Sequence, residues 1–185
     1  MKNFKLLTVL FAASLVLFSC SNDDDNPAPV NEEEVITTMT AVLTPVGSGT
    51  AVTLQTRDLD GDGPNAPVVT VSGNLVAGTT YNGVMTLLNE TEDPAENVTL
   101  EIQDEDEEHQ FFFIAGGGLD VTTAYSDQDA DGNPVGLSFT VTANTASTGT
   151  MTITLRHEPT KPNDGTLAGA GGETDIDATF DITVQ

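Results

Sequence analysis

The chain is poor in several residue types that particular functions require. It has only 5 lysine and arginine residues against 29 aspartate and glutamate residues, which gives a formal net charge of −24. Such a charge repels nucleic acids and anionic lipid headgroups and attracts cations. Tryptophan is absent and tyrosine occurs only twice, so an aromatic platform for sugars is not expected. These shortages exclude a nucleic-acid partner and favour cationic ones.

Cysteine and long apolar runs are scarce as well. Cys20 is the only cysteine, which excludes an intrachain disulfide. The longest largely apolar run, residues 6–17, follows Lys2 and Lys5; it is too short to span a membrane and has the length of a signal-peptide core. It ends in Leu17-Phe18-Ser19-Cys20, which resembles a bacterial lipobox apart from the bulky Phe18. We therefore predict a signal peptide over residues 1–19 and lipidation, including palmitate, at Cys20; the alternative is a plain secretory signal.

The residues after Cys20 predict where in the cell the protein is located. Ser-Asn-Asp-Asp-Asp at 21–25 resembles the acidic export tag of Bacteroidetes surface lipoproteins, and the alternative is a solvated acidic tether. Residues 20–34 are polar and charged, as expected of a spacer. The expected location is the outer membrane, with a lipid anchor and the domain on the cell surface or on the periplasmic face.

The remainder of the chain shows the period-2 alternation of β-strands. Leu137, Phe139 and Val141 alternate with polar residues, and the stretches around 98–102, 151–155 and 180–184 repeat the pattern. No convincing helical periodicity is present. The pattern predicts an all-β antiparallel sandwich, Ig-like or related. Ten strands are expected, over residues 35–43, 50–57, 67–73, 80–89, 97–103, 109–115, 119–126, 134–143, 148–157 and 176–184.

Two similar acidic loops indicate a diverged tandem repeat. D-L-D-G-D-G at 58–63 and D-Q-D-A-D-G at 127–132 are each followed by Pro-Val, two strands and a Gly-x-Met-Thr motif. We place repeat 1 at residues 35–103 and repeat 2 at residues 104–185, packed as one unit.

Each acidic loop has the first half of a calcium-binding loop. Alternating aspartates can direct carboxylate oxygens to one hard cation, and glycine at the sixth position allows the turn. The loops resemble those of dockerins or thrombospondin type 3 repeats, but position 12 is Val69 or Ser138, so neither is an EF-hand. A missing ligand would come from Glu90, Glu92, Asp175 or Asp177. Weak Ca²⁺ sites are thus predicted, against the alternative of simple Asp-Gly turns, at Asp58, Asp60, Asp62, Asp127, Asp129 and Asp131.

The two histidines offer a different metal chemistry. His109 follows an acidic run and is preceded directly by Glu108, and His157 is followed by Glu158. Imidazole together with carboxylate suits Zn²⁺ or another borderline ion. These four residues are the zinc candidates, and the alternative is a solvated acidic turn with an exposed histidine.

Catalytic motifs are missing. Neither G-x-S-x-G nor H-E-x-x-H occurs, and no carboxylate pair stands out, so we expect a protein that is not an enzyme. A carboxylate-dependent hydrolase remains a remote alternative.

Five short segments resemble small flavobacterial lipoproteins of the Bacteroidetes. They are C-S-N-D-D-D at 20–25, N-E-T at 89–91, E-E-H-Q-F-F-F at 107–113, L-R-H-E-P at 155–159 and G-G-E-T-D-I-D at 171–177. The group carries the label "type 1 periplasmic binding fold superfamily", which implies an α/β fold that the period-2 pattern contradicts. The resemblance also implies a TonB-dependent outer-membrane receptor as partner.

Two hypotheses for the function follow. The first is a non-enzymatic module that binds divalent cations, with Ca²⁺ in the acidic loops or zinc capture for a TonB-dependent uptake system. The second is an adhesion or scaffold sandwich with no role for a metal. Proximity of His109 and His157 would favour the first.

Overall fold

The computed structural model describes residues 34–61 and 63–185, and these residues belong to one compact unit. The predicted signal peptide, Cys20, nearly all of the predicted tether and Asp62 lie outside the described residues. The elements in chain order are β1 (Thr38–Pro45), β2 (Val52–Arg57), β3 (Val68–Val71), β4 (Thr79–Leu88), α1 (Thr99–Asp104), β5 (His109–Gly116), β6 (Val121–Tyr125), β7 (Ser138–Ala143), β8 (Ser147–His157), α2 (Leu167–Ala170) and β9 (Glu173–Val184).

The strands form two antiparallel sheets that do not close into a barrel. Sheet A has six strands in the order β3-β2-β1-β4-β7-β6, and sheet B has three in the order β5-β8-β9. One hydrophobic core joins them, since it takes buried side chains from both sheets. The alternating residues predicted from the sequence, such as Phe139, Ile153 and Phe180, are fully buried there. The expected all-β sandwich is confirmed.

The two acidic loops occupy similar places in sheet A. In both halves the acidic loop joins two neighbouring antiparallel strands, β2 to β3 and β6 to β7. The following strands differ, because β4 lies in sheet A and β8 in sheet B. Sheet A also mixes the halves, since β4 pairs with both β1 and β7.

One predicted strand is wrong. Residues 97–103 overlap the helix α1 (Thr99–Asp104) instead of forming a strand. Val98 and Ile102 are buried while Leu100 between them is 57% exposed. A spacing of four residues puts two side chains on one face of a helix, so these two apolar residues serve a helix rather than a strand. In the described part of the chain no helix is long and apolar enough to cross a membrane.

Candidate metal centre

The two histidines meet at the end of sheet B. β5 and β8 pair antiparallel with His109 directly opposite His157, and the next core-facing pair is Phe111 opposite Leu155. Because side chains two apart in a strand share a face, each histidine continues the core-facing row of its strand. Their ring centroids are 4.6 Å apart, and both residues are buried. The alternative of an exposed histidine in an acidic turn is therefore wrong for His109.

A β-bulge adds Asp175 to the histidines. In the pairing of β8 with β9, Leu155 faces Ile176 but Arg156 faces Thr174, so Asp175 is the extra residue. A bulge changes which face of the sheet the next side chain points to. The Asp175 side chain is fully buried, and its two carboxylate oxygens lie 3.6 Å from His157 Nδ1 and 3.9 Å from His109 Nε2.

Glu34 completes the group from the segment that precedes β1. Its Oε1 lies 2.9 Å from His109 Nε2 and its Oε2 lies 3.2 Å from His157 Nδ1, and only 7% of the side chain is exposed. One carboxylate thus touches both imidazoles. Together, Glu34, His109, His157 and Asp175 offer one ligand atom each, all within 4.8 Å of one another. We call these four residues the inner cluster.

The tautomer of His109 leaves the lone pair of its Nε2 available to a cation. His109 Nδ1 lies 3.0 Å from the backbone carbonyl oxygen of Glu105, and a carbonyl can only accept, so Nδ1 carries a proton. In a neutral imidazole Nε2 then holds the lone pair. Within the described chain, this buried Nε2 has no partner with hydrogen-bond geometry, although a carboxylate oxygen is 2.9 Å away. Two lone pairs so close require a cation between them, either a proton or a metal ion.

The separations in the inner cluster fit a tetrahedral metal ion. Ligands about 2.0–2.2 Å from a central Zn²⁺ lie about 3.3–3.6 Å from one another. The four nitrogen–oxygen distances, which use both oxygens of each carboxylate, are 2.9, 3.2, 3.6 and 3.9 Å. With one ligand atom from each residue, all separations lie within 4.8 Å, so a bound ion would draw the ligands slightly closer together. Two carboxylates and two neutral imidazoles also carry a charge of about −2, which one divalent cation neutralises. The cluster can therefore hold a metal ion.

The electrostatics of His157 agree with a site that attracts cations. Burial lowers the pKa of His157, but the hydrogen bond that its Nδ1–H donates to Glu34 and the charges of Glu34, Asp175 and Glu158 outweigh it and raise the pKa above 6.5. A field that favours a proton on the imidazole favours a divalent cation in the same place.

The carboxylates of the second acidic loop are occupied by protein donors. The two oxygens of Asp127 accept hydrogen bonds of 2.7 Å from the backbone N–H groups of Gly136 and Ser138. Asp129 accepts from Asn133 and forms an ion pair of 3.2 Å with Lys161. Among the residues that could be searched, Asp127, Asp129 and Asp131 do not form a group of metal ligands. Calcium in this loop stays a prediction without geometric support.

The first acidic loop is described only in part, because Asp62 is outside the described residues. Asp58 accepts from the backbone of Asp60, and Asp60 accepts from the side chain of Asn65 at 2.7 Å. The Asn65 side chain contributes most to lowering the pKa of Asp60 below its usual value. Glu90, a candidate for the missing ligand, forms an ion pair with Arg57 at 2.6 Å. Asp58 and Asp60 line a cleft of about 680 Å³ together with Asp175 and Asp177.

Replacing Asp129 with alanine should destabilise the fold by about 2–3 kcal/mol, because Lys161 loses a buried ionic partner. Burial raises the pKa of Asp129, but hydrogen bonds from Asn133 and Lys161 outweigh it and lower the pKa below 3.8. The carboxylate therefore stabilises the fold above its ordinary pKa, and this contribution is lost as the pH falls through the lowered value. Urea unfolding of the variant and the parent between pH 7 and pH 2 measures both effects.

The exposed Asp131 in the same loop provides the matched control. Asp131→Ala should change stability by less than about 0.5 kcal/mol. A calcium site would behave differently: both substitutions would abolish a rise in melting temperature caused by millimolar Ca²⁺, and that result would restore the calcium prediction.

Sequence reasoning identified both histidines but assigned their partners differently. Glu108 and Glu158, the predicted partners, are exposed and belong to a separate group with His157. Glu34 was placed in the tether and Asp175 among possible calcium ligands. The usable signal is the core-facing alternation, which runs Met151, Ile153, Leu155 and continues to His157.

No protein-family model, curated protein or solved structure matches this chain. The fold and the site define its class by themselves: an antiparallel β-sandwich with a buried Glu/His/His/Asp cluster.

Proposed function

We propose that this chain is an outer-membrane lipoprotein whose sandwich binds a divalent transition metal, with Zn²⁺ as the preferred ion, in the inner cluster. The observation that supports it most strongly is the approach of His109 Nε2 to the Glu34 carboxylate at 2.9 Å without hydrogen-bond geometry. Imidazole and carboxylate ligands suit Zn²⁺ and related ions, whereas Ca²⁺ takes six to eight oxygen ligands.

A binding role is favoured over catalysis by the composition of the inner cluster. Four protein ligands fill a tetrahedral shell, as in structural zinc sites, whereas catalytic sites keep one position for water or substrate. The four ligand side chains are 0, 0, 3 and 7% exposed, as expected of ligands that enclose an ion. The proposed activity is therefore to hold the ion, either for the fold itself or for delivery to a TonB-dependent receptor. The lipid anchor at Cys20 rests on the lipobox-like residues 17–20, and that receptor rests on the resemblance to flavobacterial lipoproteins.

Titration of the metal-stripped protein with Co²⁺ tests the proposal, because Co²⁺ reports a tetrahedral site by its visible absorption. One equivalent should bind, and Zn²⁺ should displace it. Glu34→Gln should weaken binding by about 100-fold or more, since a charged ligand is lost. The control Glu92→Gln removes the same charge from an exposed residue and should change affinity by less than about threefold. An unchanged affinity in Glu34→Gln, or an absence of Co²⁺ and Zn²⁺ binding, contradicts the proposal.

A further inference from the structure

A second group of possible metal ligands lies beside the inner cluster and shares His157 with it. Glu108, His157 and Glu158 each offer a ligand atom, and these atoms all lie within 4.8 Å of one another. Both glutamates are exposed, whereas His157 is 2% exposed. We call this group the outer group. It connects solvent to an imidazole that also belongs to the buried site.

The two nitrogens of His157 are available to different groups. Nδ1 lies 3.2 Å from Glu34 and 3.6 Å from Asp175, so it serves the inner cluster. Nε2 is buried and has no hydrogen-bond partner in the part of the chain that the structure describes. With Nδ1–H donating to Glu34, the neutral ring carries its lone pair on Nε2. That lone pair is the one left for an ion held by Glu108 and Glu158.

The backbone holds the two exposed glutamates close together. Glu158 is the one non-glycine residue with a positive φ, at 48°, among those described, a conformation that costs energy for a residue with a side chain. Its N–H donates to the carbonyl oxygen of Glu108 at 2.7 Å. Strained residues of this kind cluster at binding sites, where the surrounding structure maintains them.

We propose that the outer group is an entry site, where a hydrated divalent cation binds to Glu108, Glu158 and His157 Nε2 before it moves to the inner cluster. The proposal rests on the proposed metal-binding function. In the transfer, the bonds from the ion to Glu108, Glu158, His157 Nε2 and its remaining water break. Bonds to Glu34, His109 Nε2, Asp175 and His157 Nδ1 replace them. One proton leaves Nδ1 for solvent and one from solvent binds Nε2, so the imidazole stays neutral in both states.

Because the two sites share one imidazole, they cannot both hold an ion at the same time. When the ion is in the inner cluster, Nε2 carries the proton and has no lone pair for a second ion. The protein should therefore bind one ion rather than two. Because the proposed path runs through the outer group in both directions, this group should change the rates of binding and release far more than the dissociation constant.

Stopped-flow absorption with Co²⁺ as the probe tests the entry site in the intact protein at 0.15 M salt, where surface charges are screened within about 8 Å. The double substitution Glu108→Gln, Glu158→Gln should slow both association and dissociation by about tenfold. The dissociation constant should change by no more than about threefold, because the charge of Glu158 also acts on His157. The stoichiometry of one and the absorption spectrum should remain those of the parent. Dissociation is followed by mixing the loaded protein with a chelator.

The matched control is Glu107→Gln, Glu173→Gln, which removes the same charge from two exposed residues next to the outer group. Its rates should stay within about twofold of the parent. An equal loss of association rate in both double variants would mean general electrostatic attraction and would overturn the entry site. A weaker dissociation constant with an unchanged association rate, or a second bound ion, would overturn it too. These results leave the inner cluster intact, whereas failure of the parent to bind Co²⁺ refutes the metal function itself.

Discussion

Zinc at a thousandfold excess over its dissociation constant should raise the free energy of unfolding by about 4 kcal/mol, because only the folded chain assembles the inner cluster. The ligands come from distant parts of the sequence: Glu34 precedes β1 of sheet A, whereas His109, His157 and Asp175 lie on the three strands of sheet B. A bound ion therefore ties the segment before β1 to sheet B. For a domain of this size the melting temperature should rise by roughly 10 °C, and a chelator should reverse the rise.

Two aspartates of β9 allow a matched test of that stabilisation. Asp175 is buried in the inner cluster, whereas Asp177, two residues further along the strand, is exposed. Asp175→Asn should remove most of the rise caused by zinc, and Asp177→Asn should retain it. Scanning calorimetry of both variants with and without Zn²⁺ makes the comparison. Equal shifts in the two variants would place the stabilising ion elsewhere, and a rise with Ca²⁺ but not Zn²⁺ would favour the acidic loops.

Much of the fold could be predicted because, in a strand with one buried face, apolar residues alternate with polar residues along the sequence. Residues such as Phe180, Ile182 and Val184 alternate with polar residues, and the structure buries all three. The short helix α1 was missed because its buried residue Ile102 and its buried N-cap Val98 also fit an alternating pattern when Leu100 is counted with them. In so short a segment, the apolar pattern does not separate period 2 from period 3.6.

The inner cluster was predictable only in part. His109 begins the core-facing row of β5, and His157 ends the core-facing row of β8. The sequence alternation therefore places both histidines inside the sandwich once the two strands are paired. Asp175 reaches the same place through a bulge, which reverses the alternation that a sequence pattern assumes. Glu34 comes from a charged segment with the composition of a spacer, and only the tertiary structure brings it to the histidines. No local sequence pattern predicts that a residue will contact others more than 70 positions away, as Glu34 does.

Two adjacent glycines near His157 have similar φ angles but different surroundings. Gly171 and Gly172 both have a positive φ, 64° and 72°, which costs an alanine about 1–2 kcal/mol. They differ in their surroundings. A Cβ on Gly172 would lie 2.3 Å from the carbonyl oxygen of His157 and 3.0 Å from the carbonyl carbon of Glu158, whereas a Cβ on Gly171 would meet nothing within 4 Å. The backbone of His157 thus packs against Gly172 at a distance that only glycine allows.

Both substitutions should lower the free energy of unfolding, because alanine is strained at a positive φ. Gly172→Ala should lower it by about 1–3 kcal/mol more than Gly171→Ala, because the backbone at His157 must shift. The same shift moves the imidazole away from Glu34 and Asp175, so Zn²⁺ affinity should fall by about tenfold or more in Gly172→Ala and stay near the parent value in Gly171→Ala. Urea unfolding without metal gives the first difference, and competition of Zn²⁺ with a chromophoric chelator gives the second. Equal stability and equal affinity in the two variants would show that the close contact at Gly172 does not position His157.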